Sequence, residues 1–349
     1  MKPYPLTFDP ILKSKVWGGR RLERLGKSLP PGEMVGESWE LADLSSTSAD
    51  GGGGGAARSV IASGEMRGLT IADAVTAAGH NLMGSLRKTG DGGSAGSVGG
   101  FPLLVKFLDA RENLSVQVHP SPAYAAAHGG EGVALKTETW YVVDAEPGAV
   151  IYKGINQGVT RERFERDLRA GADITGHLIS VPVKPGDVHH LPSGTCHALG
   201  AGVMVAEVQT PSDTTFRVFD WGRTGRPLHV EPALSCMHFG PPPRLGAVRG
   251  DGGPRCRLVE TDAYHLFELS LMGGTEREVE NVPAFPTGGP MVWIVLRGEG
   301  RIVSHDGAYR PVEWRTGTTI LFPAALGPSR CEVARDASVI EVRFPSSRS

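Results

Sequence analysis

Four short segments of this chain, Gln117-Val118-His119-Pro120, Lys136-Thr137-Glu138, the run from Pro192 to His197 and the run from Ser212 to Arg217, supply two imidazoles, a carboxylate, an amide and two cations. Two neutral imidazole nitrogens with a carboxylate suit zinc with an open coordination position, and suit iron(II) in a facial triad equally well. Beside such a metal, the ammonium of Lys136 and the guanidinium of Arg217 are placed to receive an anionic substrate.

For these groups to meet, their segments must be extended. Polar and apolar residues alternate from Ser115 to His119, so Gln117 and His119 share one face of a strand and Val116 and Val118 the other. Lys136, Glu138 and Trp140 recur at the same spacing of two, which sets an ammonium beside a carboxylate. His197 follows a Pro-Ser-Gly-Thr turn that presents it at a strand entry. Cys196 then faces the opposite side and is expected to pack, not to ligate. His189 and His190 occupy opposite faces of the preceding segment and are expected to stay outside the ligand set. Gln117, a neutral amide, is a weak ligand or an orienting partner. Lys106 lies between Val105 and Phe107, and Arg217 among Phe216, Val218 and Phe219. Burying either cation unpaired is costly, so each is expected to meet a substrate anion or an internal carboxylate, Glu207 or Asp213 in the case of Arg217.

Three consecutive motifs, Leu104-Val105-Lys106-Phe107-Leu108-Asp109-Ala110, Leu114 to Pro120 and Lys136-Thr137-Glu138-Thr139-Trp140-Tyr141-Val142, resemble type I mannose-6-phosphate isomerase, the zinc-dependent phosphomannose isomerase of the cupin superfamily. Lys15-Val16-Trp17-Gly18-Gly19 and Gly36-Glu37-Ser38-Trp39-Glu40 are similar to that family's N-terminal signatures, and Gly194 to Ala198 and Ser212 to Asp220 continue the resemblance in order. It is nearest to the short bacterial branch, because Leu135 stands where the enteric and eukaryotic branch carries a histidine before the lysine. The resemblance implies a mainly β fold of cupin jelly-roll barrels and one Zn2+ per chain held by His119, Glu138 and His197 with Gln117. It further implies interconversion of mannose 6-phosphate and fructose 6-phosphate through a cis-enediolate. In that chemistry Lys136 is the leading proton-transfer group, Glu207 is the carboxylate alternative, and Arg217 and Lys106 serve the phosphate or the enediolate. An iron(II) cupin oxygenase and a non-catalytic metal- or sugar-binding cupin are the competing readings; the first does not require three cations converging on an anion, and the second is favoured only by substrate binding without turnover.

The 349 residues exceed the roughly 100 to 200 typical of one domain, which predicts two. The 48 glycines and 26 prolines favour short strands and turns over long helices. A net charge of -2 gives no global attraction to nucleic acid or to anionic membranes. No apolar run reaches a membrane span and the first residues lack a signal-peptide core, so the cytosol is the expected compartment. Cys196, Cys236, Cys256 and Cys331 show no Cys-x-x-Cys spacing and are read as reduced.

Ser46 to Arg58, with five glycines in succession, reads as a mobile hairpin connection and lacks the ending of a P-loop. After it, Thr70 caps a helix with Ile71, Ala74, Val75 and Ala78 on one face and Gly79 as a stop. Thr89 to Gly100 is again rich in glycine and serine, so residues of about 46–100 form a small helical insertion in a strand-built first domain. Thr160 to Ala170 predicts another helix, with Phe164 and Leu168 paired on its buried side.

An internal repeat completes the picture. Trp140 to Gly148 resembles Trp293 to Gly300, and Gly186 with Pro192 matches Gly317 with Pro323 at identical spacing. The second copy places Met291 where the first has Glu138, and Pro328 where the first has His197. A metal-binding barrel over residues 1–235 and a metal-free barrel over 236–349 are therefore expected, the second serving packing, a homo-oligomer contact or one wall of the substrate cleft.

Overall fold

The computed structural model describes residues 2–48, 51–86, 100–129, 132–240, 253–279 and 288–345. The fold is mainly β, with three sheets layered on one another. The middle layer is a six-stranded antiparallel sheet that runs Val188–Leu191, Glu138–Ala145, Val203–Gln209, Leu104–Ala110, then Ile11–Gly19 and Val35–Leu41. An outer layer of five strands, Leu178–Pro182, Val150–Ile155, His197–Leu199, Val116–Val118 and Phe216–Phe219, faces it. Between them Leu108, Trp140, Val142 and Val205 pack on Leu114, Ile151 and Leu199. Two helices, Arg161–Arg169 and Val230–Cys236, cover the far side of the five-stranded sheet. Phe164, Leu168, Ala233 and Leu234 meet Val116, Val118 and Cys196 there, so these three residues point away from Gln117 as the alternation predicts.

The other face of the middle sheet packs on a nine-stranded sheet built mostly from residues after 254. Alternate side chains of the Glu138 strand divide accordingly. Trp140 turns inward, while Thr139 and Tyr141 reach across to Tyr264 and Glu268 with hydrogen bonds of 3.0 and 2.8 Å. Beyond this sheet a second core of Met291, Trp293, Ile302, Trp314, Phe322 and Val339 is closed without a buried ionised group among those members.

The internal repeat is visible as matched elements. Glu138 opens one strand and Met291 opens its counterpart, each paired with a short strand that ends just before Pro192 or Pro323. The turn into each short strand carries a glycine at positive φ, Gly186 at 88° and Gly317 at 83°, where a side chain would be strained. Pro328 immediately precedes the strand Ser329–Arg343, and its counterpart His197 is the first residue of the strand His197–Leu199. Met291, 1% exposed within the apolar core, has packing as its function. Met291→Ala should therefore lower stability by about 2 to 5 kcal/mol in denaturant unfolding and leave the metal content unchanged; a lost metal equivalent would contradict the repeat.

Two features depart from expectation. The division near residue 235 is crossed by the strand Leu6–Asp9, which pairs with Thr319–Phe322, and by Val60–Ile61, which adds to its free edge. The helical insertion follows them: Ile71–Ala78 forms with the Thr70 capping box, and the next turn offers the carbonyls of Asn81 and Leu82 to the amides of Ala325 and Ala324 at 2.9 and 3.0 Å. Ser46 to Arg58 is a hairpin connection, as Asp43–Leu44 pairs with Ala57–Arg58, but its described part is fastened down and not loose. Asp213 accepts hydrogen bonds from Ser48 N, Ser48 Oγ and Gly52 N at 2.7, 2.9 and 3.0 Å. Gly51 and Gly52 permit this approach, because a Cβ on Gly51 would lie 2.7 Å from the Asp213 carboxylate and one on Gly52 would lie 2.3 Å from Thr47. The glycine- and serine-rich run expected from Thr89 lies outside the described residues, apart from Gly100.

Candidate active site

The predicted ligands converge between the six- and five-stranded sheets. Glu138 comes from the first; His197 opens a strand of the second, and His119 follows the neighbouring Val116–Val118 strand. Candidate ligand atoms of His119, Glu138 and His197 all lie within 4.8 Å of one another, and all three residues are buried. His119 Nε2 is 3.2 Å from Glu138 Oε2, and His197 Nε2 is 3.1 Å from Oε1. Tight turn chemistry sets this up: Gly194, at φ 81°, donates its N–H to the carbonyl of His119 at 3.1 Å, tying the two histidine segments together.

Each ring's other nitrogen reveals its tautomer. His119 Nδ1 is 3.1 Å from the Thr214 carbonyl and His197 Nδ1 is 2.8 Å from the Thr195 carbonyl. A carbonyl only accepts, so both Nδ1 atoms carry hydrogen and both Nε2 atoms present lone pairs to the centre. Burial, reinforced by the charge of Lys136, holds the His119 imidazole down to about 3, and it is neutral. Burial opposes ionisation of Glu138, but the Lys136 ammonium and His119 override it and keep the carboxyl well below its usual range. Imidazole lone pairs thus face a carboxylate, and His119 Nε2 and both Glu138 oxygens lack a hydrogen-bond partner. That arrangement is repulsive unless a cation lies among them, and the donor set fits a divalent metal.

The remaining predicted residues surround this centre. Gln117 Nε2 is 3.1 Å from His197 Nε2, which brings the amide to the edge of the ligand set. Lys136 Nζ is 3.0 Å from Glu138 Oε2. Arg217 pairs in register with Gln117 and donates from Nη1 to the Pro227 carbonyl at 2.8 Å. Lys106 needs no substrate anion to explain its burial: its Nζ lies 3.3 Å from Glu207 and 3.6 Å from Glu37, over the Trp39 ring. Burial and the nearby Glu138 charge raise the pKa of Glu207, whose Oε2 accepts from Trp140 Nε1 at 2.7 Å. His190 bonds Thr139 at 2.9 Å, and neither it nor His189 joins the ligand group. Cys196 is buried in apolar surroundings that push its thiol up to about 12, an inert packing group.

Glu37, Trp39, Lys13, Lys15 and Tyr264 were not foreseen as parts of the site's frame. Their signal in the sequence was the period-two spacing of Lys13 with Lys15 and of Glu37 with Trp39, which places each pair on one strand face.

A buried His-Glu-His group between antiparallel sheets, beside the Lys136 ammonium, makes a candidate divalent-metal site in a mainly β fold. No family model matches the chain. Curated relatives do. The chain is 34% identical over 305 residues to mannose-6-phosphate isomerase of Streptococcus mutans, covering 85% of this chain and 86% of that protein. It is 32% identical over 341 residues to mannose-6-phosphate isomerase ManA of Bacillus subtilis, covering 95% and 97%. The solved mannose 6-phosphate isomerase structure from Bacillus subtilis superposes with a TM-score of 0.79 at 26% identity, covering 97% of this chain and 99% of that one. The chain belongs to the mannose-6-phosphate isomerase family. This membership selects the isomerase from the three readings that the ligand set alone permits.

Proposed function

We propose that this protein interconverts mannose 6-phosphate and fructose 6-phosphate, with one zinc ion per chain held by His119, Glu138 and His197 and with Gln117 as a further ligand through its amide oxygen. The observation that carries the reading is the convergence of two imidazole lone pairs and an ionised carboxylate beside the Lys136 ammonium. Bound there, zinc supplies Lewis-acid stabilisation of the negative charge that develops on the sugar oxygens, worth several kcal/mol.

The protein's own groups do the rest. Moving the carbonyl between C1 and C2 requires a proton to leave one carbon and return to the other. Lys136 is the group for this transfer, because its Nζ is anchored by Glu138 at the edge of the metal centre. Glu207 is the second candidate, although Lys106 and Trp140 already engage it. Arg217, in register with Gln117, is placed to receive oxygens of the sugar or its enediolate through its planar fork. Lys106 contributes positive charge to the same chamber while holding Glu37 and Glu207 in position.

The matched elements of the repeat support two jelly-roll units, residues 1–235 and 236–349, with the first strand exchanged into the second unit. Only the first unit has a metal-ligand group among the described residues. Among the described residues no helix is long and apolar enough to cross a membrane, and the cysteines are free.

A coupled isomerase assay on metal-stripped protein, restored separately with zinc, iron and cobalt, tests the assignment. Turnover of mannose 6-phosphate should vanish on stripping and return with zinc. Activity indifferent to chelation would overturn it.

A further inference from the structure

Trp140 joins the candidate metal centre to its frame. Its ring stands edge-on to the His197 imidazole, with centroids 5.5 Å apart at 77°, while its Nε1 donates at 2.7 Å to Oε2 of Glu207, the residue directly opposite in the neighbouring strand. The other carboxylate oxygen lies 3.3 Å from Lys106 Nζ. Glu207 is buried, and both of its oxygens are committed to neighbouring side chains. A base that removes a proton from carbon needs a lone pair free to reach it.

The second copy of the repeat carries the same pair away from the metal centre. Trp293 stands two residues after Met291, as Trp140 stands two after Glu138, and its partner across the strands is Glu341. Trp293 Nε1 donates to Glu341 Oε2 at 3.1 Å, and the other oxygen again takes cations, Arg255 Nη2 at 2.7 Å and Arg343 Nε at 3.0 Å. The indole is again edge-on to an aromatic neighbour, Phe322, with centroids 5.0 Å apart at 65°. No metal-ligand group accompanies this pair among the described residues. A buried carboxylate that fixes an indole N–H and neutralises a cation is therefore a construction feature of both copies. What differs is the ring that the tryptophan meets, the apolar Phe322 in one copy and the His197 imidazole in the other.

We infer that Glu207 is a positioning residue, which holds the Trp140 indole against His197 and so fixes the plane in which that imidazole presents Nε2 to the metal, and that it is not the group that moves the proton. The bond from His197 Nδ1 to the Thr195 carbonyl fixes the tautomer but leaves the ring free to turn about that axis, and the Trp140 edge is the second contact that stops it. The inference rests on the isomerase reading and deepens it: the place of Glu207 beside the centre has an explanation that recurs where no metal ligands stand, which leaves Lys136 as the proton-transfer group.

The test compares Glu207→Gln, Glu207→Leu and Trp140→Phe with the parent protein, and with Trp293→Phe as the control for a cavity of the same size. Glutamine keeps an oxygen for Trp140 Nε1, and Lys106 keeps Glu37 at 3.6 Å, but an amide cannot take a proton from carbon. Glu207→Gln should therefore lose no more than about tenfold in kcat, against the about 10² to 10⁴-fold that a general base contributes, and solvent deuterium should still enter the sugar. Glu207→Leu and Trp140→Phe should bind zinc about 10- to 100-fold more weakly in chelator competition, and their cobalt-loaded forms should show a shifted visible spectrum. Trp293→Phe should lower Tm yet keep the parent's zinc affinity and cobalt spectrum, which separates a lost orientation from a damaged fold. Loss of about 10²-fold or more in kcat together with isotope exchange in Glu207→Gln would overturn the inference. So would parental zinc affinity and cobalt spectrum in Glu207→Leu and Trp140→Phe, or an equal weakening in Trp293→Phe. If the parent failed to turn over mannose 6-phosphate, the isomerase reading would fall, while the zinc and cobalt measurements would still decide whether Glu207 positions His197.

Discussion

Glu138→Gln protein should emerge from purification without stoichiometric metal and with activity reduced at least about a thousandfold. Glu138 is the one anionic group among the three proposed ligands, and its two oxygens face both Nε2 atoms and the Lys136 ammonium at 3.0 to 3.2 Å. A glutamine of the same shape keeps one oxygen but turns an amide toward either an imidazole lone pair or a cation, and it removes the charge that the metal requires. Groups that merely orient ligands cost about 10 to 100-fold in metal affinity when removed, so loss of a ligand should exceed that. His119→Ala and His197→Ala should behave alike, whereas His189→Ala, outside the ligand group, should be mild. Elemental analysis with a coupled assay decides the matter; equal effects at all four positions would mean that the ligands are misassigned.

Lys136→Met should retain its metal and still bind substrate, yet lose about 10² to 10⁴-fold in kcat, the range that a general acid-base group contributes. Methionine fills the volume of the lysine stem, so the change removes an ammonium and little packing. Solvent deuterium should cease to appear at C1 or C2 of the sugar, because the group that exchanges the proton with water is gone. Near-normal turnover and exchange in this variant would shift the role to Glu207. Its own variant, Glu207→Gln, would also release Lys106 and is read best against Lys136→Met.

The parts of this molecule that were legible in advance are those set by local alternation. From Val116 to His119 the period of two separates the face of Gln117 and His119 from the packing face, and the same parity puts Cys196 into the apolar core with Val116 and Val118. Thr70 and Thr160 announced their helices because a cap is a local hydrogen bond. What escaped depends on partners distant in sequence. The pairing of Lys106 with Glu37 comes from a strand neighbour about seventy residues upstream, and no periodicity encodes which strands lie side by side. The glycine loop is held by Asp213 from 165 residues away, so composition alone read it as loose. The four residues of Leu6–Asp9 are too few to show a pattern that says which sheet they enter.

That first strand has a consequence for how the protein is born. Leu6 pairs with Leu321, so during synthesis this segment must wait for a partner that is made much later. During that interval the strand Leu6–Asp9 and its edge neighbour Val60–Ile61 have no sheet to join. Closing such a distant contact costs chain entropy before it returns any stabilisation, which places the molecule among slow, high-contact-order folders. It also makes synthesis the stage of greatest exposure to mispairing between nascent chains. Removal of Leu6–Asp9 would then injure a sheet built mostly from residues after 254.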